Sequence, residues 1–167
     1  MRLIFIRNLF VAVPLSYTLM LVLSGSVATA QQSSVDLTGV IDFHAHAGPD
    51  SRPRAFNDFE AARLAEQAGL RGIVLKNHFT MTADRAMLAE RATGQRCYGG
   101  IVLNRAVGGL NAEAIRRMVT FTGDRGKVVW LPTFDAVNHI KRFDEDRPSV
   151  AVIRDGKPVE ALEEIFM

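Results

Sequence analysis

Four histidines are the residues of this 167-residue chain whose types and spacing could do chemistry: His44, His46, His78 and His139. His44 and His46 end an apolar run, Asp42-Phe43-His44-Ala45-His46. Side chains two apart on a strand point to the same face. Asp42, His44 and His46 therefore project together if the run is a strand, and two imidazoles so spaced can grip one metal ion. His78 closes a second run, Leu75-Lys76-Asn77-His78, and Lys76 shares its face. His139 follows a fourth run, after Thr133, Phe134 and Asp135. A lone histidine is usually an ordinary surface or core residue. A His-x-His pair with two further histidines beside strand ends favours a metal site instead. Imidazoles with carboxylates suit a divalent metal ion, zinc first, with manganese, iron or nickel left open.

Other polar residues fall near the same strand ends. Lys76 reads as a cation for an anionic substrate; the alternative is a carboxylated lysine bridging two metals. Asp135 is the candidate catalytic carboxylate, with a metal ligand, an orienting partner for a histidine and a plain loop cap as open alternatives. Asn104 ends the third run and is expected to hydrogen-bond substrate. Arg105 next to it, and Arg52 and Arg54 upstream, could meet a substrate carboxylate or phosphate, although solvated loop arginines are commoner. Asp50, after Gly48-Pro49, reads as a loop-shaping residue. Cys97 precedes the third run, away from the histidines, and reads as structural. No Gly-rich phosphate loop and no serine nucleophile elbow is present.

The elements that must hold these residues alternate along the chain. Strands are expected at Val40–His44, Gly72–Lys76, Gly99–Asn104 and Lys127–Pro132, and all are continuous apolar runs. Such strands are buried on both faces, as in a parallel sheet covered by helices. Between them, Asn57 with Glu60 forms a capping box for a helix that stops at Gly69. Thr82 is expected to cap a helix ending at Gly94, and Asn111 one carrying Ile115, Met118 and Val119 and ending at Gly123. The strand starts lie roughly thirty residues apart, the size of a βα unit. No histidine falls in an expected helix. In a parallel α/β fold the C-terminal strand ends share one rim, where ligands bind. Beyond Asp135 a charged loop spans Phe143 to Pro148. A hairpin follows over Val150 to Val159 with Asp155-Gly156 at its turn, and a helix begins at Glu160. The fold class is α/β, either an open doubly wound sheet or a (β/α)8 barrel of which only about four units are present.

Residues 1–30 have the layout of a secretory signal peptide: Arg2 and Arg7, an apolar run from Leu9 to Leu23, then Ala28-Thr29-Ala30. The apolar run is short for a bilayer span. Export to a periplasmic or secreted location is therefore expected, with a membrane contact only through an uncleaved leader. The domain is then residues 31–167, in which basic and acidic residues are equal in number. No basic footprint for nucleic acid remains. A single cysteine rules out an internal disulfide framework and any multi-cysteine metal site.

At Asp42-Phe43-His44-Ala45-His46 the chain resembles the amidohydrolase superfamily. The stretches Ile41–Asp50, Arg71–His78, Gly99–Asn111 and Val129–Thr133 together resemble, within it, the uncharacterised domain-of-unknown-function 6282 family, over roughly residues 38–165. The resemblance implies a metal-dependent hydrolase on a (β/α)8 TIM barrel, cleaving an amide, ester or phosphoester bond of a small-molecule substrate. It implies that His44 and His46 are first-strand metal ligands, and it aligns His78 and His139 with histidines of the narrower family. Superfamily members usually take further ligands from strands five and six and an aspartate base from strand eight, which this sequence does not supply. A truncated or split product, or a half-barrel that forms a homo-oligomer or pairs with a complementing half, is the expectation that follows. The alternatives to an active hydrolase are an inactive remnant and a metal-free ligand-binding module.

Overall fold

The four apolar runs form one parallel sheet in the computed structural model, which describes residues 35–166. The expected leader lies outside these residues. Strand β1 is Ile41–Ala45, β2 Gly72–Leu75, β3 Cys97–Val102 and β4 Gly126–Trp130. They pair side by side in the order β1-β2-β3-β4, every pair parallel. Helices α1 (Asp58–Gln67), α2 (Ala83–Thr93) and α3 (Ala112–Val119) form the crossovers. Each strand begins and ends within a few residues of its expected limits. Among the described residues no helix is long and apolar enough to cross a membrane.

Alternation along the strands sorts their side chains into two faces. Ile73, Leu75 and Cys97 pack with Ala62 and Ala65 of α1 and with Ala86 and Ala89 of α2. Ile101 and Leu103 continue that face and pack with Met118 of α3. All three crossover helices therefore cover the same side. Right-handed crossovers between strands in sequential order require this. On the opposite side Ile41, Phe43, Val74, Tyr98, Lys127 and Val128 line a shallow groove of about 350 Å³. The two outer strands leave apolar side chains exposed: Phe43 on β1 and Val129 on β4, with Leu131 just beyond.

Local signals account for most helix limits. Asn57 Oδ1 accepts from Glu60 N while Glu60 Oε2 accepts from Asn57 N, closing the capping box. Gly94 takes the left-handed conformation after α2. The Asn111 side chain accepts from Ala114 N at the start of α3. That helix ends at Val119 rather than Gly123, and Val119 is half exposed. Thr82 departs from expectation. Its hydroxyl does not cap α2; it donates to Leu75 O at 2.7 Å and accepts from Gly100 N at 2.9 Å. The hydroxyl is fully buried and ties β2, β3 and α2 together, because strand groups offer it better-placed partners than the open helix turn.

A short α4 (Val137–Arg142) follows β4, in place of the expected loop around His139. The expected hairpin is present as β5 (Ile153–Arg154) and β6 (Lys157–Pro158), with Asp155 and Gly156 both at positive φ in its turn. Helix α5 (Glu160–Phe166) returns to α3, where Arg116 donates to Glu164 at 2.8 Å.

The seam between α2 and β3 leaves no room for a side chain on Gly99. A Cβ there would lie 2.3 Å from the Thr82 carbonyl oxygen. Gly99→Ala must push α2 off the sheet, and it is expected to cost about 1–3 kcal/mol or more in urea unfolding. An unchanged unfolding midpoint would contradict the close approach.

Candidate functional site

The sheet brings three of the four histidines to the end of β1 and β2. His44 is the penultimate residue of β1 and His46 follows the strand; His78 follows β2 after Lys76 and Asn77. The two Nε2 atoms of His44 and His46 stand 3.1 Å apart. The His46 and His78 rings stack with centroids 4.7 Å apart. Lys76 Nζ lies 3.4 Å from His44 Nε2 and 4.8 Å from the centre of the Trp130 ring. The side chain of Asp42 does not join them. Register shifts between Asp42 and Ala45, and Asp42 Oδ1 accepts from His44 N at 2.8 Å, folding the carboxylate back onto its own strand.

Arg54 joins this group from the Asp50 side. Arg54 Nη2 donates to His46 Nδ1 at 3.4 Å, and Arg54 itself is held by the Asp50 carboxylate, 2.6 Å from its Nε. A guanidinium only donates, so the Arg54 contact favours the His46 tautomer with its proton on Nε2. His44 Nε2 lies within reach of both His46 Nε2 and the Lys76 ammonium. All three imidazoles are held neutral. Desolvation, with the Lys76 charge, lowers the pKa of His44; desolvation, with Arg54, lowers that of His46. Desolvation and the neighbouring His46 bring His78 down to about 4. Burial also lowers the pKa of Lys76. Burial raises that of Asp50, but the Arg54 and Ser51 hydrogen bonds outweigh it and the net shift is downward.

The donor set fits a metal ion at one point. Nitrogens bound to a common ion at about 2.0–2.1 Å sit roughly 3–3.4 Å apart, and the His44–His46 pair meets that separation with neutral rings. No group of three His, Cys, Asp or Glu side chains is poised to hold an ion among the described residues. An ion on this pair would move the His46 proton to Nδ1, so Arg54 would have to turn from that nitrogen towards Asp50.

His139 is not brought to the pair. It lies in α4, which corrects the expectation that no histidine is helical. Its ring meets Phe134 at 5.3 Å and Phe143 at 4.6 Å, and its Nε2 is 3.7 Å from Glu145. Phe134 stands between it and His78, whose ring is 4.2 Å from that of Phe134.

Asn104 has no polar atom left for a substrate. It is fully buried. Its Nδ2 donates to His78 O at 3.0 Å and Thr133 Oγ1 at 2.9 Å; its Oδ1 accepts from Thr133 N at 2.9 Å and Asp135 N at 3.3 Å. Thr133 Oγ1 in turn lies 2.9 Å from His78 Nδ1, leaving His78 Nε2 open. Asp135 is also buried. Its carboxylate accepts from Arg105 N at 2.7 Å and is clasped by the Arg147 guanidinium, so it closes a loop. The Arg105 side chain lines a separate groove beside the β5–β6 hairpin, with Arg154 and Ser149. Cys97 is sealed in the core, where burial pushes its thiol pKa up to about 12.

Sequence reasoning gave no role to Thr133, Glu145 or Arg147, which meet His78, His139 and Asp135 respectively. Arg85 was missed too: it donates to both Asp58 oxygens and to Ala47 O, fastening the chain just past His46 to α1 and α2. Removing the Asn104 amide should loosen the whole rim. Asn104→Ala strands several buried groups at about 1–3 kcal/mol each. A loss of roughly 3 kcal/mol or more is expected in chemical denaturation, with the His78 ring resonances shifted by NMR.

No curated protein and no solved structure matches the chain. A family model does match, over residues 39–166, and its description is a family of unknown function, DUF6282. The match covers the entire sheet, all three crossover helices and every residue of the histidine cluster: the chain belongs to the DUF6282 family.

Proposed function

We propose that this protein is a metal-dependent hydrolase in which His44 and His46 would hold the ion, with His78 beside them as a third candidate ligand. The carrying observation is the approach of two neutral imidazole nitrogens to 3.1 Å at the end of an edge strand. A divalent ion, zinc first, would supply a water of lowered pKa and a polarising charge for an amide, ester or phosphoester bond. The chain supplies the rest. Lys76 places a cation beside the site, suited to charge developing on the substrate oxygen. The His78 Nδ1–Thr133 contact orients its ring. Asp50 offers Arg54 an alternative partner to His46.

The sheet supports a barrel ancestry. Strand order is sequential and the helices share one face, as in a (β/α)8 barrel; a doubly wound sheet reverses its order and uses both faces. The amidohydrolase superfamily reading rests on that geometry and on the Asp42-x-His44-x-His46 motif. Export through residues 1–30 is part of the same reading. The exposed edges call for a partner: a second copy, or a complementing half, pairing along β1 and β4.

A metal-free binding module is the second reading, favoured by the two cations, Lys76 and Arg54, 3.4 Å from the imidazoles. Elemental analysis separates the two. The hydrolase reading expects about one or two zinc-type ions per chain, lost in His44→Ala, and esterase, amidase or phosphatase activity abolished by a chelator. A folded protein without stoichiometric metal would favour the binding module. For the edges, sedimentation velocity should show concentration-dependent association that Phe43→Lys reduces; a monomer at all concentrations would remove that part of the proposal.

A further inference from the structure

Next to the histidine cluster lies a cavity of about 240 Å³ with Arg52, Phe79, Phe134, His139, Glu145 and Arg147 in its wall. It is smaller than the roughly 300 Å³ at which drug-sized pockets begin, so its occupant is small. Phe134 is the wall it shares with the cluster, against His78 on one side and His139 on the other. Phe79 and Phe134 are nearly parallel, with centroids 6.1 Å apart, and give it an apolar aromatic surface.

The charges in the wall are unequal in what they leave free. Arg147 is fully engaged: by Asp135, by Glu145 and by Phe134 O at 2.6 Å. Of the three upstream and rim arginines that the sequence nominated, Arg54 is held by Asp50 and Arg105 lines another groove. Arg52 alone stands over this cavity. Its guanidinium carbon lies 4.6 Å from the Phe134 ring centre, and it has no carboxylate partner among the described residues. A guanidinium stacked on a ring keeps its in-plane N–H donors available for a carboxylate. Asp135 and Glu145 in the same wall disfavour a doubly charged anion.

We propose that this cavity binds a small aromatic monocarboxylate, its ring against Phe79 and Phe134 and its carboxylate on Arg52. As the substrate subsite of the neighbouring centre, it rests on the hydrolase reading and gives that reading a substrate class: an aromatic acid, or a compound carrying one beside the bond to be cleaved. His139 then belongs to the substrate wall.

Calorimetric titration of the purified chain with benzoate and with the neutral isostere benzamide tests this, with and without added zinc. Benzoate should bind about tenfold or more tighter than benzamide, without zinc as well as with it. Arg52→Met should abolish that preference while benzamide binding is unchanged, and Arg52→Lys should retain part of it. Equal binding of the two probes, or a preference that survives in Arg52→Met, overturns the proposal. So does benzoate binding that requires zinc and disappears in His44→Ala, which would put the anion on the metal. Arg52-dependent benzoate binding in a protein that takes up no zinc upholds the pocket and removes the hydrolase reading.

Discussion

The side-chain amide of Asn104 makes four hydrogen bonds to the ends of its neighbouring strands, and the rim exists because it does. Parallel strands stop hydrogen-bonding to each other where they diverge, and their last backbone groups need partners. At the exits of β2 and β4 those partners are the two polar atoms of one buried side chain. His78 is held through its carbonyl by Asn104 and through its ring by Thr133, which Asn104 also binds. Asp135 takes its backbone partner from Asn104 and gives its carboxylate to Arg105 and Arg147. A buried network of this kind is strong only when complete, so the orientation of the histidine ring depends on a residue that never reaches the solvent.

On this frame sits an unusual charge arrangement. Three imidazoles are kept neutral largely by desolvation, while Arg54 and Lys76 approach them. Arg54 lies between the His46 ring and the Asp50 carboxylate, which holds it. The separation of the His44–His46 pair suits either a hydrogen bond between one N–H and one lone pair or an ion held by two lone pairs. The nearby cations favour an ion that arrives with, or acquires, a negative oxygen.

Much of this was legible in the sequence, for reasons that are local. The Asn57–Glu60 box, the Gly94 stop and the Asp155-Gly156 turn depend on residues a few positions apart, and each is found where expected. The approach of His44, His46 and His78 followed from strand alternation and from the shared rim. What could not be read depends on partners distant in sequence. Thr82 has the right type and place for a cap, but its hydroxyl is taken by Leu75 and Gly100 across the sheet. Asn104 has the right place for a substrate ligand, but its neighbours 26 to 31 residues away saturate it. His139 lies in a helix of six residues, too short for periodicity to reveal. Asp42 shares the parity of the pair, yet a register irregularity turns its carboxylate back.

The segment after β4 is pinched at its base. Val150 N donates to Asp135 O at 2.6 Å, Arg147 clasps the Asp135 carboxylate, and α4 and Glu145 lie in the excursion between. A loop closed at its neck is joined to the sheet by a few bonds at one place, and its tip can vary in length and composition while the strands keep their register. The aromatic cavity takes His139, Glu145 and Arg147 from that excursion, whereas the imidazole pair sits at the end of β1. A change in that loop would therefore alter the wall it gives the cavity without disturbing the strand that carries the imidazole pair.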